Sequence, residues 1–468
     1  MTGPGSVPWF ALHELRLAWR DWAWLLSGGR RRSTATVIVA LGIFAAFMHG
    51  FAYLALPRAA EFAGPPDRRM LVMIGGAILL YGSLMLSQAL EAVTRAFYAG
   101  GDLDLVLSSP ADTARLFAVR LGAMAVSTAG ISLVLAAPAI DVVAWRSGAR
   151  WLAAYGVMAA LAMTAVALSS VVVMLLFALI GPRRTRLAAQ VIAAVVGAGF
   201  VIGIQFLAIL SIGTLSRVEF LRSDTVLAHV PQAGSLVWLP AWAASGDWPA
   251  LVLTAAAGTA LLAGAIALCA PRFGRLALAA AGMAEDVGRP GRPRRAFRPG
   301  SPAQALRGKE WALLRRDPWL MSQTLMQLLY LLPPFFLLWR SFYGGGRPAS
   351  LLVPVLIMSA GQLAGGLAWL AVSGEDAPEL IASAPVTPAL VWKAKAEAVA
   401  GIMAIVFGPI LAVLALIDPT VGLVGLAGIA ISGAAATLIQ FWFRKQVKRS
   451  LFRRRHVSSR IATFAEAL

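Results

Sequence analysis

Two stretches of this chain, about 275 residues apart, carry acids, a proline and a cation in the same order. The first holds Asp102, Asp104, Leu105, Ser108, Pro110 and Asp112, with Arg120 ten residues after the proline. The second holds Glu375, Asp376, Glu379, Leu380, Ser383 and Pro385, with Lys395 ten residues after its proline. Such residues do electrostatic rather than covalent chemistry. Two acidic islands on an otherwise basic chain suit docking onto a partner surface that carries Arg or Lys. The plainer reading is that they are helix-start acids complementing a macrodipole. Each proline stops the helix before it, and Asp112-Thr113 and Thr387-Pro388 supply cap and first-turn residues for the next. The expected order is a short helix, a proline corner, a cap and a new apolar helix.

A second echo lies upstream of each island: Glu14, Leu17, Arg20 and Asp21 recur as Glu310, Leu313, Arg316 and Asp317. Around the first copy, Leu12, Leu15, Trp19, Trp22 and Leu26 repeat at helical spacing, with His13, Arg16 and Arg20 on another face. Four tryptophans (Trp9, Trp19, Trp22 and Trp24) suit a headgroup region. An amphipathic helix over 8–26, lying on the inner leaflet, is the expectation. Its counterpart runs from Gln304 to Trp319. Recurrence of both patterns marks a tandem duplication.

The elements that must hold these residues are apolar. Hydrophobic residues make up 59% of the chain and charged ones 13%, more apolar surface than a soluble domain can bury. They fall in runs of about 20, the length that crosses a hydrocarbon core. Ten spans are expected: 34–56, 70–94, 116–140, 151–180, 187–213, 250–270, 319–339, 350–372, 390–416 and 421–443. Continuous runs exclude a barrel, whose strands would alternate. The fold class is therefore all-α, a polytopic helical membrane protein. Met1 to Arg32 is polar where a cleavable signal would be apolar, so the first span is expected to serve as its own insertion signal.

The net charge of +19 does not call for a nucleic acid. With the amino terminus inside, about 32 of the 41 Lys and Arg fall on one side and about 9 on the other. That asymmetry is the positive-inside pattern and places both termini in the cytoplasm. The single cysteine, Cys269, excludes an intrachain disulfide and a cysteine metal cluster.

Residues 284–302 are rich in Gly, Pro and Arg and cannot bury enough apolar surface to order themselves. The expected organisation is a first module, 1–283, with six spans; a cytoplasmic linker, 284–303; and a shortened second module, 304–468, with four spans and a basic tail. An even number of spans before the linker makes the two repeats parallel. The longest external segment, about 214–249, carries Trp238, Pro240, Trp242 and Trp248, read as anchors of a re-entrant or interfacial element rather than a ligand site.

Enzymatic constellations do not appear. The chain has no G-x-x-x-x-G-K-[ST] phosphate loop, no H-E-x-x-H and no G-x-S-x-G. It is read as neither an enzyme nor a metal protein. His13, His49, His229 and His456 are scattered, and His49, inside a span, is the best single candidate for an intramembrane polar role. Glu91, Lys395 and Glu397 sit near span ends rather than at mid-membrane, where an ion-coupled carrier would need a charge.

The elbow Glu14-x-x-Leu17-x-x-Arg20-Asp21, then Gly101-Asp102-Leu103-Asp104-Leu105-x-x-Ser108-x-Pro110 and Arg120, resembles the ABC-2-type permeases of ABC exporters. The resemblance covers both repeats and implies a fused two-module form. It implies that 101–112 and 375–387 are coupling loops seated in a separate ABC ATPase, a dimer that binds ATP and Mg, while this chain binds no cofactor. The further partner is membrane lipid, the location the cytoplasmic (inner) membrane, and the substrate a lipophilic compound. The second module departs from the pattern in lacking the last pair of helices. Two rivals stand beside this reading: a gradient-driven secondary transporter and a non-transporting membrane scaffold.

Overall fold

A computed structural model of the chain describes residues 34–56, 64–98, 113–212, 217–285, 300–316, 349–373 and 378–442, with residues 9, 10, 12–14, 16, 17, 20, 325, 329, 332 and 336. Among the described residues all regular structure is helical and no strand occurs. Eight helices are long and apolar enough to cross a membrane: Arg68–Phe97, Ala114–Ser147, Ala149–Pro182, Arg184–Ile209, Trp248–Arg272, Val353–Val372, Pro388–Ile417 and Pro419–Trp442. The chain is a multi-pass helical membrane protein. The first expected span is helical, and its shorter apolar stretch is Leu41–Ala55. Of 319–339, residues 325, 329, 332 and 336 are described, and all are helical. Contacts divide the chain into two compact units, Met1–Arg289 and Pro290–Leu468, within the Gly/Pro/Arg-rich stretch.

Unit 1 contains α1 (Thr34–Ala55), α2 (Arg68–Tyr98), α3 (Thr113–Ser147), α4 (Ala153–Ile212), the short α5 (Arg217–Arg222), α6 (Asp224–His229) and α7 (Leu239–Ala244), and α8 (Trp248–Glu285). A straight helix of the length of α4 would be about 90 Å long, three bilayer cores. Gly181 breaks it with φ 70° and ψ 167°, a conformation that favours glycine, and Pro182 follows. Thr185 Oγ1 donates to the Gly181 carbonyl at 2.9 Å, re-starting the helix. The core is built by Met85, Leu90, Val93 and Phe97 of α2, Phe117 and Leu121 of α3, Val166, Val173 and Phe177 of α4, and Cys269 of α8. At Gly258 a Cβ would come 2.8 Å from the Ala160 carbonyl oxygen, so α8 and α4 meet backbone to backbone. In the segment α5–α7, Trp238 is buried against Gly75, where a Cβ would lie 2.9 Å from its ring. The Trp238 and Trp242 indoles donate to the Pro231 and Ala233 carbonyls at 3.3 and 3.1 Å. These two rings anchor their own segment, whereas Trp248 is exposed.

Unit 2 contains α9 (Pro302–Arg316), α10 (Ala349–Ser373), α11 (Pro378–Ser383), α12 (Pro388–Ile417) and α13 (Pro419–Trp442). A reciprocal capping box starts α9: Gln304 N–H donates to Ser301 Oγ at 3.3 Å, and Ser301 N–H donates to Gln304 Oε1 at 3.2 Å. Leu356, Leu363, Leu367 and Leu370 of α10 form the core with Val399, Phe407 and Leu414 of α12 and Ile429 of α13. Small residues let α10 and α13 close up, with Gly428 against Ile357 and Ser432 Oγ donating to the Ile357 carbonyl at 3.1 Å. Asp418 opens α13 by accepting from Thr420 N–H at 2.9 Å and Thr420 Oγ1 at 2.6 Å.

Candidate functional site

In the first island, Asp102, Asp104, Leu105, Ser108, Pro110 and Asp112 lie outside the described residues; its two flanks are described. Phe97, at the end of α2, meets Phe117 of α3 with ring centroids 6.1 Å apart and Phe177 of α4 at 5.0 Å. All three rings are buried, so an aromatic clamp fixes the base from which the island springs. In unit 2, Trp392 of α12 meets Phe441 of α13 at 5.0 Å. Phe117 and Trp392 each stand seven residues after their island's proline.

In the second island, Glu375 and Asp376 lie outside the described residues, while Glu379, Leu380, Ser383 and Pro385 are described. Pro378–Ser383 forms one short helix, closed by Ser383 Oγ donating to the Leu380 carbonyl at 3.1 Å. Leu380 is exposed at its surface. Pro385 then occupies the corner, Thr387 stands at the N-cap of α12 and Pro388 begins it. The Thr387 side chain makes no capping hydrogen bond. The cap comes from its backbone instead, whose carbonyl accepts from Leu390 N–H at 3.0 Å.

Ahead of each island stands a leading helix. In unit 1 the described residues between 9 and 20 are helical, including Glu14 and exposed Arg20; Asp21 lies outside them. In unit 2 the leading helix is α9, which includes Glu310 and ends at Arg316; Asp317 lies outside. Each leading helix reaches the cation ten residues past its own island's proline. Glu14 Oε1 lies 4.0 Å from Arg120 Nε, with side chains 29% and 22% exposed. Glu310 Oε1 accepts from Lys395 Nζ at 3.0 Å, with side chains 1% and 5% exposed.

The unit 2 junction is elaborated further. Lys395 also donates to the Ala371 carbonyl near the end of α10, where the last turn leaves carbonyls without helical partners and carries the negative end of the dipole. One ammonium thereby joins α9, α10 and α12. Lys309 lies 3.0 Å from the same Glu310 oxygen, while buried Glu310 Oε2 has no hydrogen-bond partner among the described residues. One turn along, Arg307 grips Glu397 through Nε and Nη2, the latter at 3.0 Å. That carboxylate holds the Arg307 guanidinium above its usual range, by hydrogen bond first and by charge second. Next to it Trp311 lies so close to Gly401 that a Cβ there would stand 2.7 Å from the ring.

Two other features lie in unit 1. His49 of α1 pairs with Asp141 of α3 at 3.1 Å, and Tyr155 of α4 donates to the same carboxylate at 2.7 Å. A cavity of about 430 Å³ between α4 and α8 is lined by Val171, Met174, Leu175, Ala178, Leu268, Cys269, Arg272 and Leu276. Among the described residues no three His, Cys, Asp or Glu are grouped to hold a metal.

Sequence reasoning singled out Glu14, Arg120, Glu310 and Lys395 without joining them into pairs. The signal was there, since each acid and each cation recurs in matching order. It missed Arg307, Asp141 and Tyr155, which occur in one copy. Comparison with protein-family models, curated proteins and solved structures finds no match to this chain.

Proposed function

We propose that this chain is the transmembrane permease subunit of an ATP-driven exporter, built as two repeated modules and worked by a separate ATPase dimer. The supporting observation is the recurrent tie from a leading helix to the helix that leaves an acidic island, Glu14 to Arg120 and Glu310 to Lys395. A leading helix on the inner leaflet moves with its span only if the two are fastened, and an island transmits a push only if its base is stiff. Both modules carry such a tie in the same residue order, closer in unit 2 than in unit 1. The islands 101–112 and 375–387 dock the ATPase through their acids, and ATP with Mg is bound and hydrolysed on that partner. Exposed Leu380 offers the apolar contact at the second island. The apolar cavity rimmed by Arg272 supports a lipophilic substrate, and its size is that of a small-molecule site. Both termini face the cytoplasm in this reading, and the membrane is the inner one.

Purification of the tagged chain from its native membrane, assayed for vanadate-sensitive ATP hydrolysis, tests this. A co-purifying ATPase that is lost on Asp104→Lys with Glu379→Lys is the expected result. An intact chain with no ATPase in gentle detergent would sink the reading. A second reading, a gradient-driven transporter, is favoured by the intramembrane pair His49–Asp141. Transport that persists without ATP and collapses with the gradient would select it.

A further inference from the structure

The helix α1 is a peripheral element of unit 1. Among its described side chains only Ala52 is buried, while Ile38, Ile43, Phe47, Phe51 and Leu54 are exposed. Apolar burial therefore does little to fix it, and in a bilayer lipid satisfies those faces as well as protein would. Polar ties set its position. At its carboxyl end, Arg146 of α3 lies 3.9 Å over the Tyr53 ring and donates to the Tyr53 and Leu56 carbonyls at 2.6 and 3.3 Å. Six residues before that end stands His49, opposite Asp141, itself six residues before the end of α3.

The proton inventory of this second tie is fixed by its acceptors. His49 Nδ1 lies 2.7 Å from the Ala45 carbonyl oxygen, which can only accept, so Nδ1 carries a hydrogen. His49 Nε2 lies 3.1 Å from Asp141 Oδ2. A bare ring nitrogen facing a bare carboxylate is repulsive, so one more proton must lie between them, on either side. Tyr155 supplies a hydrogen to the other oxygen, Oδ1, and cannot fill that gap. Among the described residues the other charged or titratable groups nearby are Tyr53 and Arg146, engaged with each other, and Arg150 in the turn after α3, which donates to the Gly64 carbonyl at 2.6 Å.

We propose that His49, Asp141 and Tyr155 form a binding site for a single proton, and that the bound proton ties α1 to α3. With the proton present the tie is complete; on the alkaline side of its titration lone pairs face each other and, among the described residues, the polar hold on α1 is left to Arg146. His49 and Asp141 are 39% and 41% exposed, so neither is sealed inside unit 1. A charge pair at membrane depth is costly enough to be kept for a use. The assignment does not depend on the ATPase, since it concerns occupancy by a proton rather than transport.

Nitrogen-15 spectra of histidine-labelled protein in bilayers, with His49 assigned from the His49→Gln difference, test it across pH. The wild-type ring should carry both nitrogen-bound protons on the acid side and lose the Nε2 proton on the alkaline side. Asp141→Asn should bind that proton at least ten-fold more weakly. Tyr155→Phe should move the loss the other way, because the phenol hydrogen stabilises the bare carboxylate. A spin label at Gly50, an open position, in a Cys269→Ser background should gain mobility as the proton leaves. A His49 with bare Nδ1, both variants shifting the titration the same way or not at all, or a label indifferent to pH would overturn the proposal. If Asp141→Asn fails to fold, the Tyr155→Phe shift decides.

Discussion

The two ties between leading helix and span use the same chemistry in different surroundings. In unit 1 a glutamate and an arginine approach to 4.0 Å, both still partly exposed. In unit 2 a glutamate and a lysine meet at 3.0 Å, all but sealed. A partly exposed pair contributes about 0–1 kcal/mol. A sealed pair contributes little net of desolvation, yet breaking it by removing one partner costs about 3–5 kcal/mol. The difference teaches that one sequence pattern can serve as a loose guide in one place and a fixed joint in another. What converts it is the added company in unit 2: the Ala371 carbonyl, the Arg307–Glu397 fork and the Trp311–Gly401 contact. In the proposed exporter, α9 would follow α12 rigidly, while the first leading helix would follow α3 with slack.

The strongest way to break this contrast is to remove one charge from the sealed pair. Lys395→Met leaves buried Glu310 facing Lys309, whose side chain is 31% exposed, in place of its sealed partner, and strips the α10 terminus of its donor. Unit 2 should lose about 3–5 kcal/mol, read by thermal or denaturant unfolding in detergent. Glu310→Gln should cost less, because an amide can still accept from the ammonium. A Lys395→Met protein as stable as wild type would mean the junction is not sealed.

Next in size is the steric contact. Gly401→Val drives two methyl groups toward the Trp311 ring, where even a Cβ would stand at 2.7 Å. Overpacking of this kind costs about 1–3 kcal/mol, and here the ring, 40% exposed, can swing aside. The expected signature is a modest loss of stability with faster hydrogen exchange in α9, which Trp311→Ala in the same chain should partly restore. Unchanged exchange would show that α9 does not rest on α12.

How much of this was legible in the sequence depends on what each feature needs. Spans needed only runs of apolar residues, and the break in α4 was marked by Gly181-Pro182. The short helix, corner and helix start of 378–388 were legible from prolines alone. Glu14 and Lys395 were conspicuous because their surroundings recur, but pairing acid with cation is a tertiary fact, between residues 85 apart in unit 2 and far apart in unit 1. Arg307 has no counterpart in the first copy, where Ala11 holds its place, so recurrence could not single it out. Asp141 lies one residue past the span expected over 116–140, whereas α3 continues to Ser147 and carries it within the helix.

A smaller effect is expected from the exposed tie. Glu14→Gln should cost under about 1 kcal/mol, within the error of most unfolding measurements. Its consequence should instead appear as salt dependence. Labelling of residues 9–20 by a water-soluble reagent should respond to ionic strength in the wild type and lose that response in the variant, because screening acts on partly exposed pairs and spares sealed ones. The same labelling of α9 should respond through the Arg307–Glu397 pair, 49% and 35% exposed, and become indifferent to salt in Arg307→Gln, where the sealed Glu310–Lys395 pair remains. A salt-sensitive α9 in Arg307→Gln would erase the distinction between the units.

The smallest effect is a gain, and it sharpens the comparison most. If the fork is what turns a guide into a joint, it can be moved. Counting from the paired residues, Arg307 and Glu397 correspond to Ala11 and Gly122. Gly122 has open space, with nothing within 4 Å of a Cβ placed there. Ala11→Arg with Gly122→Glu should therefore build the second grip in unit 1, the glutamate entering open space. Replacing a helical glycine stabilises by about 0.5–1 kcal/mol by itself, so the reference is Gly122→Ala. Relative to it, the double variant should add a few tenths of a kcal/mol, up to about 1. More telling, it should slow labelling of residues 9–20 at low ionic strength, whereas either single change should not. A double variant that behaves as the sum of its singles would show that the two leading helices approach their spans on different faces, and that the shared residue order conceals two unlike joints.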